Sequence, residues 1–360
     1  MKNILFLLFI SCTATAQSDL IDISLKPFWK GKTMYNESVL MISKEGKPAE
    51  AQLLFKPKHI LSVRNSALNI EYKKDVDWEY KDGKLKLMPG SSAVYMTNDE
   101  LYPDSTKNVF PKKGGGKVLF HEGSYFHEHQ LAITYKHAKN GWKGVIPIFQ
   151  GENLPHTIEK LKLKQAIHLL LYGDSIAAGA NASGKSSASP NLPDWGNLIT
   201  EKLKRFYKAS VTFTNTAVGG MDSKWGKNNV QKLVADHNPD LVIIAFGMND
   251  GTGKMEPQQF KANIQEIIER VKENNKNTEF ILVTPMLPNP ESFFTGTQAE
   301  FKSVLEELTM QGIVLADMTT VHRELLKYKS YQDMTGNNIN HPNDFLIRWY
   351  AQEIVGILVP

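Results

Sequence analysis

Two kinds of apolar spacing divide the chain. Before about residue 150, apolar residues come in short segments: 39–42, 51–55, 67–72, 84–87, 116–120 and 130–135. Glu45-Gly46, Lys81-Asp82-Gly83, Pro89-Gly90 and Gly114-Gly115-Gly116 separate them. Short segments between Gly, Asp and Pro turn signals predict antiparallel strands packed as a jelly-roll-like β-sandwich. From about residue 165 the apolar runs lengthen, at 166–172, 211–218, 241–246, 280–284 and 313–316. Helical patterns at 197–207, 230–237, 257–273 and 300–311 alternate with them. In the third of these, Phe260, Ile264, Ile267, Ile268 and Val271 share one helical face. Such alternation predicts a mainly parallel sheet covered by helices, an α/β domain in three layers. The pattern therefore divides into an N-terminal β-domain over 17–155, a joining segment at 151–164 and an α/β domain over 165–360.

The first residues belong to neither pattern. Met1-Lys2-Asn3 carries a positive charge, residues 4–10 are apolar, and Ala14-Thr15-Ala16 has the small residues of a cleavage site. This predicts a secretory signal peptide over 1–16, and hence a secreted or periplasmic protein. The apolar run is too short to span a bilayer, and no later one reaches about 18 residues, so no transmembrane segment is expected. The single cysteine, Cys12, lies inside this signal. Its surroundings fit a lipoprotein anchor poorly, and after cleavage the chain would have neither disulfides nor thiol chemistry.

Composition adds exclusions. The 42 basic and 38 acidic residues give a net charge of +4. The excess is spread out, with no basic block that would argue for nucleic acid or a membrane surface.

The candidate chemistry centres on the stretch from Tyr172 to Ser187, YGDSIAAGANASGKSS. Gly179 to Ser186 fits the phosphate-binding pattern GxxxxGK[ST] at every position. That loop needs a strand running into its first glycine and a helix starting at its Lys-Ser. Here the strand ends near Tyr172, and Pro190 and Pro193 follow Lys185-Ser186 too closely for a helix. Nucleotide binding is set aside. Ser175 is the alternative, a hydroxyl just beyond the first strand of the sheet. Ligands of open α/β sheets gather beyond the carboxyl ends of the strands. Gly219-Gly220 follow the second strand, Asn249 follows the third, and His341 precedes the last helical stretch. Ser175 could also serve only as a helix cap, Gly219-Gly220 as a turn and Asn249 as a cap.

Gly173-Asp174-Ser175, Asn215-Thr216-Ala217-Val218-Gly219-Gly220, Gly247-Met248-Asn249-Asp250 and His341-Pro342-Asn343 resemble the four blocks of the GDSL/SGNH hydrolases. They occur in the family's order, over residues 165–360. The preceding β-region resembles, less specifically, the β-sandwich of two-domain carbohydrate esterases. The resemblance implies a three-layer α/β/α SGNH-hydrolase fold. Ser175 would be the nucleophile and His341 the general base. The backbone N–H of Gly220, with that of Ser175 and the amide of Asn249, would form the oxyanion hole, Gly219 being the competing glycine. Asp174 would brace its loop. The implied function is a secreted serine esterase that removes short acyl groups, foremost acetyl, from acetylated carbohydrate, without metal or organic cofactor. A lipid esterase or lysophospholipase of the same fold, or a catalytically inactive glycan-binding protein, are the alternatives. Oligomeric state is not legible.

One position departs from the family. The aspartate usual three residues before the histidine is Asn338 here. An Asp-to-Asn change at the equivalent position of a chymotrypsin-type triad costs about 10⁴ in rate, through the wrong imidazole tautomer. Asn338, a backbone carbonyl, Asp333 or Asp344 could each orient the ring, and a Ser–His dyad with a carbonyl orienter is the favoured arrangement. Elsewhere, alternation along a strand would put His127 and His129 on one face as a metal pair, but no third ligand is identifiable. Trp29 and Trp78 could stack on sugars, although packing is the default for aromatics.

Overall fold

The computed structural model describes residues 19–360. The expected signal peptide and Cys12 lie outside the described residues. Among the described residues no helix is long and apolar enough to cross a membrane.

The N-terminal half is built from short, mostly antiparallel strands. β1 (Thr33–Leu40), β10 (Gln130–His137) and β4 (Pro57–Asn65) form one sheet in the order β1-β10-β4. β5 (Trp78–Lys81), β6 (Lys84–Leu87), β3 (Glu50–Ala51), β2 (Ile42–Ser43) and β7 (Met96–Thr97) form a second in that order. Only its β2–β7 pair is parallel. β8 (Val109–Pro111) and β9 (Lys117–Leu119) make a separate hairpin. Val39, Val63, Leu131 and Ile133 of the first sheet and Trp78, Leu85 and Leu87 of the second join one apolar cluster.

Three expectations fail in this half. Of the segment 51–55 only Ala51 belongs to a strand. The segment 67–72 is not a strand. Asn65 Oδ1 accepts from the N–H groups of Asn69 (3.1 Å) and Ile70 (3.0 Å), and Leu68 takes a left-handed φ of 62°, so the chain turns there. The paired strand is instead β4, whose only fully buried residue, Val63, leaves a weak apolar pattern. His127 and His129 do not share a strand face either. His127 belongs to a helical turn, Tyr125–Glu128, and contacts the Ser189 carbonyl, while His129 contacts that of Tyr125. Trp29 and Trp78 are buried in the core.

The C-terminal half follows its pattern closely. β11 (Ile167–Gly173), β12 (Val211–Asn215), β13 (Leu241–Ala245), β14 (Glu279–Val283) and β15 (Ile313–Ala316) are all parallel, in the order β12-β11-β13-β14-β15. Alternate residues serve opposite faces. Leu169, Leu171, Ile243 and Ile281 pack with the helices Trp195–Tyr207 and Asp344–Leu358. Leu170, Tyr172, Val242 and Leu282 pack with Ser223–Leu233 and Pro257–Asn274. Both faces are buried, which is why the strands read as continuous apolar runs. The joining segment is itself structured. Its helix, Pro155–Lys162, has its first N–H groups bound by the Glu279 carboxylate, at 3.0 Å from His156 and 2.8 Å from Thr157.

The helix Asp344–Leu358 ties the halves together. The sequence predicts an amphipathic stretch here, yet every residue except Asp344 and Gly356 is buried. The N-terminal half covers the face that solvent would otherwise reach. Phe28 and Trp142 pack on Trp349, with ring centroids 4.8 and 4.6 Å away. The polar residues of that face find partners there too. Gln352 donates to the Ser24 carbonyl (2.7 Å) and accepts from the Phe28 N–H (2.8 Å), and Arg348 donates to the Tyr35 carbonyl (2.8 Å). Each large apolar side chain buried this way stabilises the fold by about 1.5–3 kcal/mol.

Glu353 on this helix is an exception. Its Oε2 is buried without a hydrogen-bond partner. Burial, with the charge of Asp317, pushes its carboxyl from the usual 4.5 up to about 8. Between these values the folded chain holds a proton that the unfolded chain releases, so this group makes stability fall as pH rises through that window. Glu353→Gln removes the penalty. Its Tm should match that of the wild type near pH 4.5 and exceed it by a few degrees near pH 9, in paired thermal melts.

Candidate active site

Ser175, Gly219-Gly220 and Asn249 follow β11, β12 and β13, the three neighbouring strands where the sheet order reverses direction. Such a switch point is where open α/β sheets bind ligands. Close packing makes the first turn. A Cβ on Gly173 would lie 2.2 Å from the Ala245 carbonyl oxygen, so only glycine lets β11 and β13 come together there. Asp174 then turns inward. Its carboxylate accepts from the N–H of Ile176 (2.9 Å) and of Met248 (3.4 Å), tying the first block to the third. Burial, reinforced by the charge of Asp250, pushes the Asp174 carboxyl up to about 7.

Amide side chains fix the other loops. Asn215 Nδ2 donates to the Ala177 carbonyl (2.9 Å), and its Oδ1 accepts from the Ala217 N–H (3.0 Å). This holds the second block beside the serine loop. A Cβ on Gly219 would come 3.7 Å from Ser175 Cβ, and Gly220 is exposed with a left-handed φ of 79°. Asn249 Nδ2 donates to the Met221 carbonyl (2.9 Å), which leaves its second N–H for another acceptor.

His341 arrives on a turn built from polar side chains. Asn337 Oδ1 accepts from the N–H groups of Ile339 (3.0 Å), Asn340 (3.0 Å) and His341 (3.1 Å). Asn343 caps the following helix through its Oδ1, and its Nδ2 donates to Ser38, Gln130 and the Asp333 carbonyl, each at 2.9 Å. The imidazole thereby meets the serine: His341 Nε2 lies 2.9 Å from Ser175 Oγ. Both residues are almost buried, each 8% exposed.

On the far side of the ring, none of the side chains proposed to orient it is present. Asn338, at a left-handed φ of 68°, donates to the Leu119 carbonyl (2.9 Å), and its Oδ1 faces Asn289 and Gln332. Asp333 accepts from the Leu40 N–H (2.8 Å) and caps Ser330 (2.9 Å). Asp344 accepts from the Ser183 N–H (2.8 Å). Nδ1 instead faces two residues that the sequence left unmarked: Asn181 Oδ1 at 2.7 Å and Glu122 Oε2 at 3.3 Å. Asn181 sits inside the stretch that mimics a phosphate loop. No helix begins at Lys185-Ser186, and the next one starts only at Trp195. Among the described residues no cluster of three or more His, Cys, Asp or Glu side chains could hold a metal.

This arrangement can transfer a proton. A neutral ring that donates from Nδ1 presents the Nε2 lone pair to the serine hydroxyl, as a base must for a weak oxygen nucleophile. Asn181 selects that tautomer. Its Nδ2 donates to the carbonyls of Gly123 (2.9 Å) and Gly336 (3.2 Å), so only its oxygen can face the ring.

The chain is 28% identical to thioesterase 1/protease 1/lysophospholipase L1 of Escherichia coli over 190 residues, 52% of this chain and 82% of that protein. It is 29% identical to an arylesterase of Vibrio mimicus over 109 residues, 30% of this chain and half of that one. Among solved structures, a two-domain esterase active on acetylated mannans aligns with a TM-score of 0.48 at 20% identity, over 59% of this chain and 54% of its own. This chain thus spans about half the length of that esterase. Residues 171–345 match the model of the GDSL-like lipase/acylhydrolase family. The domain that brings Ser175 and His341 together belongs to that family of hydrolases.

Proposed function

We propose that this protein is a secreted or periplasmic carboxylic ester hydrolase that removes acetyl or similarly short acyl groups from carbohydrate. It would comprise an N-terminal β-domain over 17–155 and a hydrolase domain over 165–360. The observation that carries the reading is the continuous hydrogen-bonded chain from Ser175 Oγ through His341 to Asn181. In the reaction, Oγ attacks the acyl carbon as Nε2 takes the hydroxyl proton. The N–H groups of Gly220 and Ser175 and the free amide N–H of Asn249 hold the resulting oxyanion, a class of donor whose loss costs about 10²–10³ in rate. The C–O bond to the sugar then breaks, and the leaving oxygen takes the proton from Nε2. Water, activated in the same way, releases acetate from Ser175.

The carbohydrate assignment draws support from the surroundings of the nucleophile. Exposed Glu122 and half-buried His121 make the rim beside the Ser175–His341 pair polar, as a hydroxyl-rich alcohol requires. A lipid or thioester substrate is the second reading, favoured by the lysophospholipase relative in Escherichia coli.

Hydrolysis of p-nitrophenyl acetate and octanoate by the wild type and by Ser175→Ala separates these readings. We expect acetate to be cleaved faster than octanoate, with both activities lost in the variant. Faster octanoate cleavage would favour the lipid reading, and no difference between the proteins would end the esterase reading. A second comparison separates Asn181 from Asn338. Asn181→Leu should lose about 10²-fold in kcat. Asn338→Ala, which forfeits buried hydrogen bonds worth about 1 kcal/mol each, should lower Tm while changing kcat less than tenfold.

A further inference from the structure

We propose that Glu122, a residue of the N-terminal β-domain, is the charged positioning residue of the Ser175–His341 pair, so that the hydrolase domain is electrostatically incomplete without its neighbour. This rests on the esterase reading above. Asn181 settles the tautomer but brings no charge. When Oγ gives up its proton the imidazole becomes a cation, and a triad would place an anion against it. Among the described residues, the carboxylate in contact with the ring is Glu122 Oε2, 3.3 Å from Nδ1.

That carboxylate is held in place by more than the ring. Its other oxygen accepts from Asn337 Nδ2 at 3.0 Å. The segment carrying it is joined to the hydrolase domain on both sides of Glu122. Asn338 reaches the Leu119 carbonyl (2.9 Å), and Asn181 reaches that of Gly123 (2.9 Å). Burial by itself would raise the Glu122 carboxyl, but hydrogen bonds and charge from His341, with hydrogen bonds from Asn337 and Asn181, leave it below its usual value. It is therefore ionised when the ring needs it. Asp174, the other carboxyl whose charge acts on His341, makes its hydrogen bonds to Ile176 and Met248.

Position 181 is itself unsuited to carrying the charge. An aspartate there would turn a second oxygen toward the carbonyls of Gly123 and Gly336, which now accept from its amide. Two carbonyl oxygens require a donor at 181, and the charge beside the ring is supplied by Glu122 instead.

The test uses the full-length protein with p-nitrophenyl acetate, comparing wild type, Ser175→Ala, Glu122→Gln and Glu122→Asp. Glu122→Gln keeps the shape and an acceptor for Asn337 and removes the charge. We expect kcat to fall about tenfold, with KM and Tm unchanged and Glu122→Asp recovering part of the loss. Tenfold is the lower end for a hydrogen bond to a charged group, because the Glu122 side chain is 51% exposed and water screens it. A purely structural role would move Tm or KM instead and would overturn the proposal. So would an active wild type whose kcat Glu122→Gln leaves unchanged. A wild type without Ser175-dependent hydrolysis would overturn the esterase reading itself, and this proposal with it.

Discussion

The enclosure of the helix Asp344–Leu358 is the constraint on which the rest of the structure depends. An ordinary surface helix buries one stripe; this one is covered all round, by the parallel sheet on one side and by the N-terminal half on the other. Its first turn is fixed by Asn343, two residues after His341, so whatever holds the helix also holds the imidazole. Trp349 packs against Phe28 and Trp142, and Arg348 and Gln352 bind backbone carbonyls of the N-terminal segment. The imidazole is thus seated by contacts from both halves of the chain, and neither could shift alone without moving it.

The site itself is built mainly by side-chain amides. Asn215, Asn249, Asn337, Asn181 and Asn343 each bond backbone groups of a neighbouring loop or of their own turn. An amide offers a donor and an acceptor from one planar group, so it can satisfy a carbonyl and an N–H without burying a charge. Charge is placed sparingly. Asp174 lies fully inside, where burial favours its protonated form, and Glu122 lies where water still reaches it.

How much of this the sequence discloses follows from burial. Strands β11 to β15 are apolar on both faces because helices cover both, and runs of that kind stand out. The short strands of the N-terminal half alternate weakly, so β4 is hidden while 67–72 imitates a strand until Asn65 turns the chain. The helical nature of 344–358 is legible, but its outer face is covered by residues more than two hundred positions away, which no local pattern reports. The same holds for the ring's partners. The family pattern directs attention three residues before His341, whereas Asn181 is 160 residues away and Glu122 is 219. Asn181 lies within the stretch that mimics a phosphate loop, and nothing in its spacing marks it as facing a histidine. The places of Ser175, Gly220 and Asn249 beyond consecutive strand ends, and of His341 just before the last helix, are legible because the four blocks come in a fixed order.

One buried contact has a consequence for how such a chain can be made. Glu37 on β1 and Lys329 form an ion pair with no solvent exposure on either side chain. Tyr135 and the Leu54 N–H also bind this carboxylate, and Leu40 on the same strand binds Asp333. An unpartnered buried carboxylate is among the costliest features a fold can contain. A ribosome releases Glu37 292 residues before its lysine. The first sheet therefore cannot close around that position as an independent unit early in synthesis. It has to stay open, or hold water there, until Lys329 emerges. The inside of the first sheet is thus completed by a residue from the opposite half of the chain, and a segment ending before Lys329 would leave Glu37 without its buried cation.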